Sequence, residues 1–133
     1  MLQTKRVPSW TNSINTEIAK FAYAGTHVVA DFWNGKIIEN EKELEQLLKG
    51  AAKAAKSQAL QVSIHKFVPQ GITGVILLAE SHIAVHTWPE INYIAIDIFT
   101  CGKEARPKGA LKYIQEYLKP ERVKIQEMKR GKL

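Results

Sequence analysis

Tyr93-Ile94-Ala95-Ile96-Asp97-Ile98-Phe99-Thr100-Cys101-Gly102 decides how the rest of the chain is read. Tyr93, Ala95, Asp97 and Phe99 alternate with Ile94, Ile96 and Ile98, the period-two pattern of a strand with one apolar face, and the run ends in Thr100-Cys101-Gly102. Just upstream, Ala79-Glu80-Ser81-His82-Ile83-Ala84-Val85-His86-Thr87-Trp88-Pro89-Glu90 reads as a second strand that delivers Ser81 and His86. Residues 79–102 thus hold two His, one Ser, two Glu and the only Cys of the chain. Folding alone does not require that density of reactive side chains, so both strands are expected to end at chemistry.

Working outward, Phe21 to Trp33 is rich in β-branched and aromatic residues and stops at the turn dipeptide Asn34-Gly35, which predicts a first strand. Asn40 with Glu43 has the spacing of a capping box. Leu44, Leu47, Leu48, Ala51 and Ala55 then fall on one helical face, which predicts a helix to about Gln58. Leu60 to Phe67 alternates as a half-buried strand, Pro69-Gln70-Gly71 turns the chain, and the apolar run Thr73–Ala79 leads straight into Glu80-Ser81. Downstream, Pro107 opens a second helix whose Leu111, Ile114 and Leu118 form a stripe ending before Pro120, and Arg122–Glu127 alternates as a last strand. Residues 1–20 carry isolated apolar side chains (Val7, Trp10, Ile14, Ile18) without a clear period. They read as an extension that packs loosely or against a partner, with no function assigned.

Short links between consecutive strands favour antiparallel pairing, and two amphipathic helices suffice to cover one sheet face. The expected fold is α+β: a two-layer sandwich of a mainly antiparallel sheet with two helices on one face. The other face meets water or a second copy of the chain. With 133 residues and 45% hydrophobic composition, residues 1–133 are expected to form one domain, too small for a deep private cleft, so a site between subunits is anticipated.

Nineteen Lys and Arg against thirteen Asp and Glu leave a formal charge of +6, which raises nucleic acid as a partner. Much of the excess sits in Lys103–Lys108 and Lys129–Lys132, with neither an aromatic stacking platform nor a helix-turn-helix signature, so it reads as solvated surface. One cysteine cannot close an intramolecular disulfide, which points to a reducing compartment. Residues 1–20 lack a continuous apolar stretch, and no run approaches the ~20 apolar residues that cross a bilayer. A cytoplasmic protein off the membrane is expected.

Taken singly, most of the reactive residues have ordinary readings. Ser81 lies outside any Gly-x-Ser-x-Gly elbow, which removes support for hydrolase chemistry, yet a strained serine can attack the carbonyl before it. His82 and His86 point to one face of a strand, and His27, His65 and Cys101 are the only other soft ligands. No metal is expected. A single Cys such as Cys101 is by type a small buried residue, and Phe67, Tyr23 and Trp88 are by type core residues. Asp31, Asp97 and His65 remain unassigned.

In combination the motifs Glu80-Ser81-His82, His86-Thr87-Trp88-Pro89-Glu90 and Phe99-Thr100-Cys101-Gly102 resemble those of the prokaryotic S-adenosylmethionine decarboxylases, over roughly residues 23–130. The resemblance implies cleavage at Glu80–Ser81 into a β chain, 1–80, and an α chain, 81–133. Ser81 becomes a pyruvoyl group that forms a Schiff base with the substrate amine, in place of pyridoxal phosphate. His86 and Thr73, a position where some relatives have Ser, assist that processing, and Cys101 protonates the α-carbon after decarboxylation. Phe67 and Tyr23, the latter usually Phe, stack on the adenine, and Glu90 holds the ribose hydroxyls. The match reverses the ordinary readings of Ser81, Cys101, Phe67 and Tyr23, while Trp88 keeps its core reading.

Strand parity adds a constraint of its own. In one regular strand Ser81 and His86 face opposite sides, so one chain would need a bulge or bend to join them. A second copy removes the difficulty, and the resemblance implies a homodimer in which Ser81 and Cys101 come from one chain, Thr73 and His86 from the other. The product would be the aminopropyl donor for spermidine synthesis. The rival readings are an arginine decarboxylase, as in some archaeal relatives, and a non-catalytic basic protein that binds nucleic acid.

Overall fold

The computed structural model describes residues 23–79, 81–101 and 105–132, so the expectations for residues 1–20 and for Glu80 lie outside the described residues. In chain order the elements are β1 (Gly25–Trp33), α1 (Glu41–Ala54), β2 (Ala59–Lys66), β3 (Ile72–Leu78), β4 (Ser81–Trp88), a 3-10 turn (Pro89–Ile91), β5 (Tyr93–Cys101), α2 (Pro107–Leu118) and β6 (Arg122–Arg130). The strands form one six-stranded sheet in the order β2-β3-β4-β5-β1-β6, and every pairing is antiparallel. Both helices pack on one face. The two-layer α+β architecture is therefore as expected.

Alternation along each strand sorts the side chains by face. Val28, Ala30, Phe32, Ile72, Ile76, Leu78, Ile83, Val85, Ile94, Ile96 and Ile98 are buried beneath Leu44, Leu47, Leu48 and Ala51 of α1 and Ala110, Leu111, Ile114 and Leu118 of α2. Removing such side chains from water stabilises the fold by roughly 25 cal/mol per Å² of apolar surface. Gly74 sets how closely α1 approaches. A Cβ there would stand 2.7 Å from Leu44 Cδ2, so the helix lies directly on the β3 backbone.

The caps and boundaries show where local signals sufficed. Asn40 Oδ1 accepts the Glu43 N–H at 2.8 Å, while Glu43 Oε1 reaches back to the Glu39 N–H at 2.9 Å, one residue before the cap. Helix α1 stops at Ala54 rather than Gln58, because Ala55 caps it and Lys56 turns left-handed at φ 57° to lead the chain into β2. Of the expected first strand, Phe21 and Ala22 lie outside the described residues, Tyr23 and Ala24 form a bend, and β1 starts at Gly25, at the level where its partners Cys101 and Arg130 end. β2 is an edge strand with a register irregularity between Ala59 and Gln61. Leu60 is consequently 60% exposed, and only Val62 and Ile64 pack against the core. The apolar run of β3 is not buried on both sides, since Leu77 lies on the uncovered face and is exposed. β6 runs three residues further than expected, to Arg130, because β1 pairs with it throughout.

The uncovered face collects the other parity: His27, Val29, Asp31 and Trp33 of β1, Thr73, Val75 and Leu77 of β3, His82, Ala84 and His86 of β4, and Tyr93, Asp97, Phe99 and Cys101 of β5. Nearly all the candidate chemistry thus lies on the side away from the helices.

Candidate active site

Two groups of candidate residues form, at opposite ends of β4. At its start, Ser81 Oγ accepts the backbone N–H of Cys101 at 3.1 Å, closing the ladder where β5 runs beyond β4. The thiol lies over Gly25, across in β1. A Cβ at Gly25 would stand 3.1 Å from Cys101 Sγ and 3.0 Å from Phe99 Cζ, so glycine is what leaves room for both. Tyr23, two residues before Gly25, belongs to this end, with Lys129 Nζ 5.2 Å from its ring centroid.

Near the far end of β4, Thr73 and His86 are direct partners in the β3–β4 register, and Thr73 Oγ1 lies 3.1 Å from His86 Nδ1. They line an open groove of about 350 Å³ together with Phe67, Gly71, Trp88 and Glu90. Gly71, at φ 101°, turns the β2–β3 link, and its carbonyl accepts the Phe67 N–H at 2.8 Å, fixing Phe67 at the groove rim. The Phe67 ring is half-exposed and meets His65 edge-on, 4.6 Å between centroids. The core reading of Trp88 is overturned: it is 40% exposed and stacks on Tyr93 at 5.3 Å, because alternation along β4 places it with His82 and His86 on the uncovered face.

His86 lies five residues after Ser81, ~16 Å along the strand, and alternation sends them to opposite faces. The four-residue step from His82 to His86 spans ~13 Å along the strand, too far for both to ligate one ion. Among the described residues no three His, Cys, Asp or Glu side chains are gathered so as to hold a metal.

The structure also assembles residues left without a role in the sequence. Asp97, between the two groups on the uncovered face, receives His27 Nε2 on one carboxylate oxygen and lies 3.5 Å from His82 Nε2 through the other. Arg130 donates to His27 Nδ1 at 3.0 Å, extending the chain of contacts to the sheet edge. Shared strand parity was the available signal, but it required knowing that β1 lies between β5 and β6. Asp31 accepts from the Tyr93 hydroxyl. Burial first, and this hydrogen bond second, push the Tyr93 phenol up to about 12.

Comparison with known proteins gives the family of the chain. Residues 26–131 match the family model described as S-adenosylmethionine decarboxylase. The chain is 40% identical over 109 residues to the S-adenosylmethionine decarboxylase proenzyme of Methanococcus maripaludis, covering 80% of this chain and 89% of that protein. It is 41% identical over 110 residues to the proenzyme of the same name from Thermosipho africanus, covering 81% and 85%. The crystal structure of the adenosylmethionine decarboxylase from Aquifex aeolicus superposes with a TM-score of 0.78 at 35% identity, over 84% of this chain and 93% of that one. With a family model matched over most of its length and relatives at this identity, the chain belongs to the S-adenosylmethionine decarboxylase family of enzymes.

Proposed function

We propose that this protein is a proenzyme that cuts itself between Glu80 and Ser81 and, as a homodimer, decarboxylates S-adenosylmethionine to the aminopropyl donor for spermidine synthesis. The observation that carries the reading is the division of the site. Ser81 meets Cys101 at one end of the sheet, where the Cys101 side chain lies on the uncovered face, and Thr73, His86, Phe67 and Glu90 meet at the other end. Each group is half of what the chemistry needs. Two copies packed through their uncovered faces in opposite directions would set the first group of one against the second group of the other, twice.

In this arrangement the Thr73 hydroxyl and the His86 imidazole of one chain act on the Ser81 hydroxyl of its partner, moving the proton that its attack on the Glu80 carbonyl releases. The pair is preassembled for this, hydrogen-bonded at 3.1 Å on adjacent strands. Ser81 also fits the group it is to become. Its Oγ lies at the first residue of β4 against the Cys101 amide, so the new N-terminus would open beside the thiol. The pyruvoyl group made from Ser81 supplies the electron sink for carbon dioxide release, with no external organic cofactor. Cys101 gives its thiol proton to the α-carbon. Phe67 offers an exposed aromatic face to the adenine at the groove rim, Glu90 offers its carboxylate to the ribose hydroxyls, and Tyr23 approaches from the Ser81 end.

The test joins intact-mass measurement of the purified protein to carbon dioxide release from carboxyl-labelled S-adenosylmethionine, arginine and ornithine. Two chains split before Ser81, with S-adenosylmethionine strongly preferred, are expected. A Ser81→Ala protein that still yields both chains would overturn the processing step. Preferential release from arginine would reassign the substrate while leaving Ser81 and Cys101 in place.

A further inference from the structure

Decarboxylation consumes a proton. When carbon dioxide leaves a carboxylate, the electron pair left on the α-carbon takes up one proton per turnover, and that proton must finally come from water. If Cys101 delivers it, the thiolate that remains has to be reloaded before the next cycle. We propose that His82 is the relay that reloads Cys101, and that Asp97, held by His27 and Arg130, is the positioning residue that orients it. This inference rests on the decarboxylase reading.

The geometry is that of a built support rather than scattered surface polarity. Arg130 of β6 can only donate hydrogen bonds, so its 3.0 Å contact makes His27 Nδ1 an acceptor and leaves the ring proton on Nε2. That proton goes to one oxygen of Asp97, leaving the other oxygen directed at His82 Nε2, 3.5 Å away. In a single chain the His82 and Asp97 side chains are 35% and 38% exposed and His27 behind them only 15%, so His82 and Asp97 front the space that the proposed partner would enclose. His82 is the register partner of Phe99, and Cys101 is the next residue of β5 on the same face, which places the His82 ring diagonal to the thiol, ~7 Å between Cβ positions. In the proposed relay, water carries the proton across the remaining gap. From β3 the neighbour of His82 is Leu77, and from β1 Gly25 lies under the thiol, so neither offers a competing acid.

The step balances simply. The Cys101 S–H proton passes to the α-carbon; a ring N–H of His82 passes its proton through water to the thiolate; His82 regains a proton from bulk water. A first turnover uses the proton already on the thiol, and only later turnovers need the relay.

His82→Gln and Asp97→Asn proteins should be compared with wild type in single-turnover and steady-state carbon dioxide release. Single-turnover rates within about twofold of wild type, with steady-state kcat lowered on the order of tenfold or more in His82→Gln and less in Asp97→Asn, are expected. KM should hardly move, and added imidazole should restore turnover in His82→Gln. Independently of turnover, the ultraviolet thiolate absorbance of the single Cys should titrate at a different pH in both variants. If both rates fall together without imidazole rescue, or if kcat and the thiol titration match wild type, the relay is wrong. Should the wild-type protein fail to process or to release carbon dioxide, the decarboxylase reading fails instead, and the thiol titration still reports whether His82 and Cys101 are coupled. Where His82→Gln does not fold, Asp97→Asn gives the same two readouts.

Discussion

Thr73 and His86 meet 3.1 Å apart on neighbouring strands, while the Ser81 they are proposed to act on lies five residues up β4 and on the other face of it. A regular strand cannot close that gap, and in the proposed homodimer the two halves complement one another between chains. Mixing a Cys101→Ala protein with a Glu90→Gln protein, each weakly active alone, should restore up to about a quarter of wild-type activity by forming one intact site per mixed dimer. No recovery despite subunit exchange, followed by native mass spectrometry, would place the whole site within one chain.

Gly25 is expected to matter for chemistry as much as for folding. An added Cβ would stand 2.6 Å from the Thr100 carbonyl and 3.1 Å from Cys101 Sγ. Gly25→Ala should therefore destabilise the fold by about 1–3 kcal/mol through overpacking, and the displaced thiol should lower kcat. Urea unfolding and steady-state kinetics check the two effects, and an unchanged kcat would show that the thiol position is not critical.

Phe67 packs against His65 and faces the groove, with little of its ring in the core. Phe67→Ala should raise KM for S-adenosylmethionine about tenfold with a smaller change in kcat, because stacking on the adenine is present in ground and transition states alike. The fold should lose under about 1 kcal/mol, since the side chain is half-exposed. A kcat loss at constant KM would argue against adenine stacking.

Tyr93 couples stability to alkaline pH. Its phenol titrates near 12 in the folded protein because burial and the Asp31 hydrogen bond favour the neutral form, against ~10 in an unfolded chain. A raised folded value means that the contribution is complete below pH ~10 and is lost as pH climbs from ~10 toward ~12. Tyr93→Phe keeps the ring that stacks between Trp33 and Trp88 but removes the hydroxyl, so its stability should fall less steeply across that window. Urea unfolding of both proteins at a series of pH values checks the difference in slope, and parallel curves would remove Tyr93 as the titrating group.

Much of the fold was legible in the chain itself because its signals are local. The alternation of Tyr93–Cys101, the Asn40–Glu43 cap and the Leu111, Ile114, Leu118 stripe each depend on residues within a few positions of one another, and each appears as expected. The misreadings fall where long-range context overrides a local pattern. Leu60 is exposed because β2 lies at an edge with an irregular register, and Trp88 lies outside the core because the helices cover only the other face of β4.

By itself the sequence determined which residue types are available and on which strand face each must lie: Ser81 opposite in parity to His86, and His82 alike with His86. Period two follows from backbone geometry and needs no partner. Only the tertiary structure decided which of them meet. Gly25 lies under the Cys101 thiol, and Arg130, His27, Asp97 and His82 join across four strands, because β1 inserts between β5 and β6. That order is set by how the sheet buries one shared apolar face beneath two helices, a property of the whole chain that no short stretch encodes.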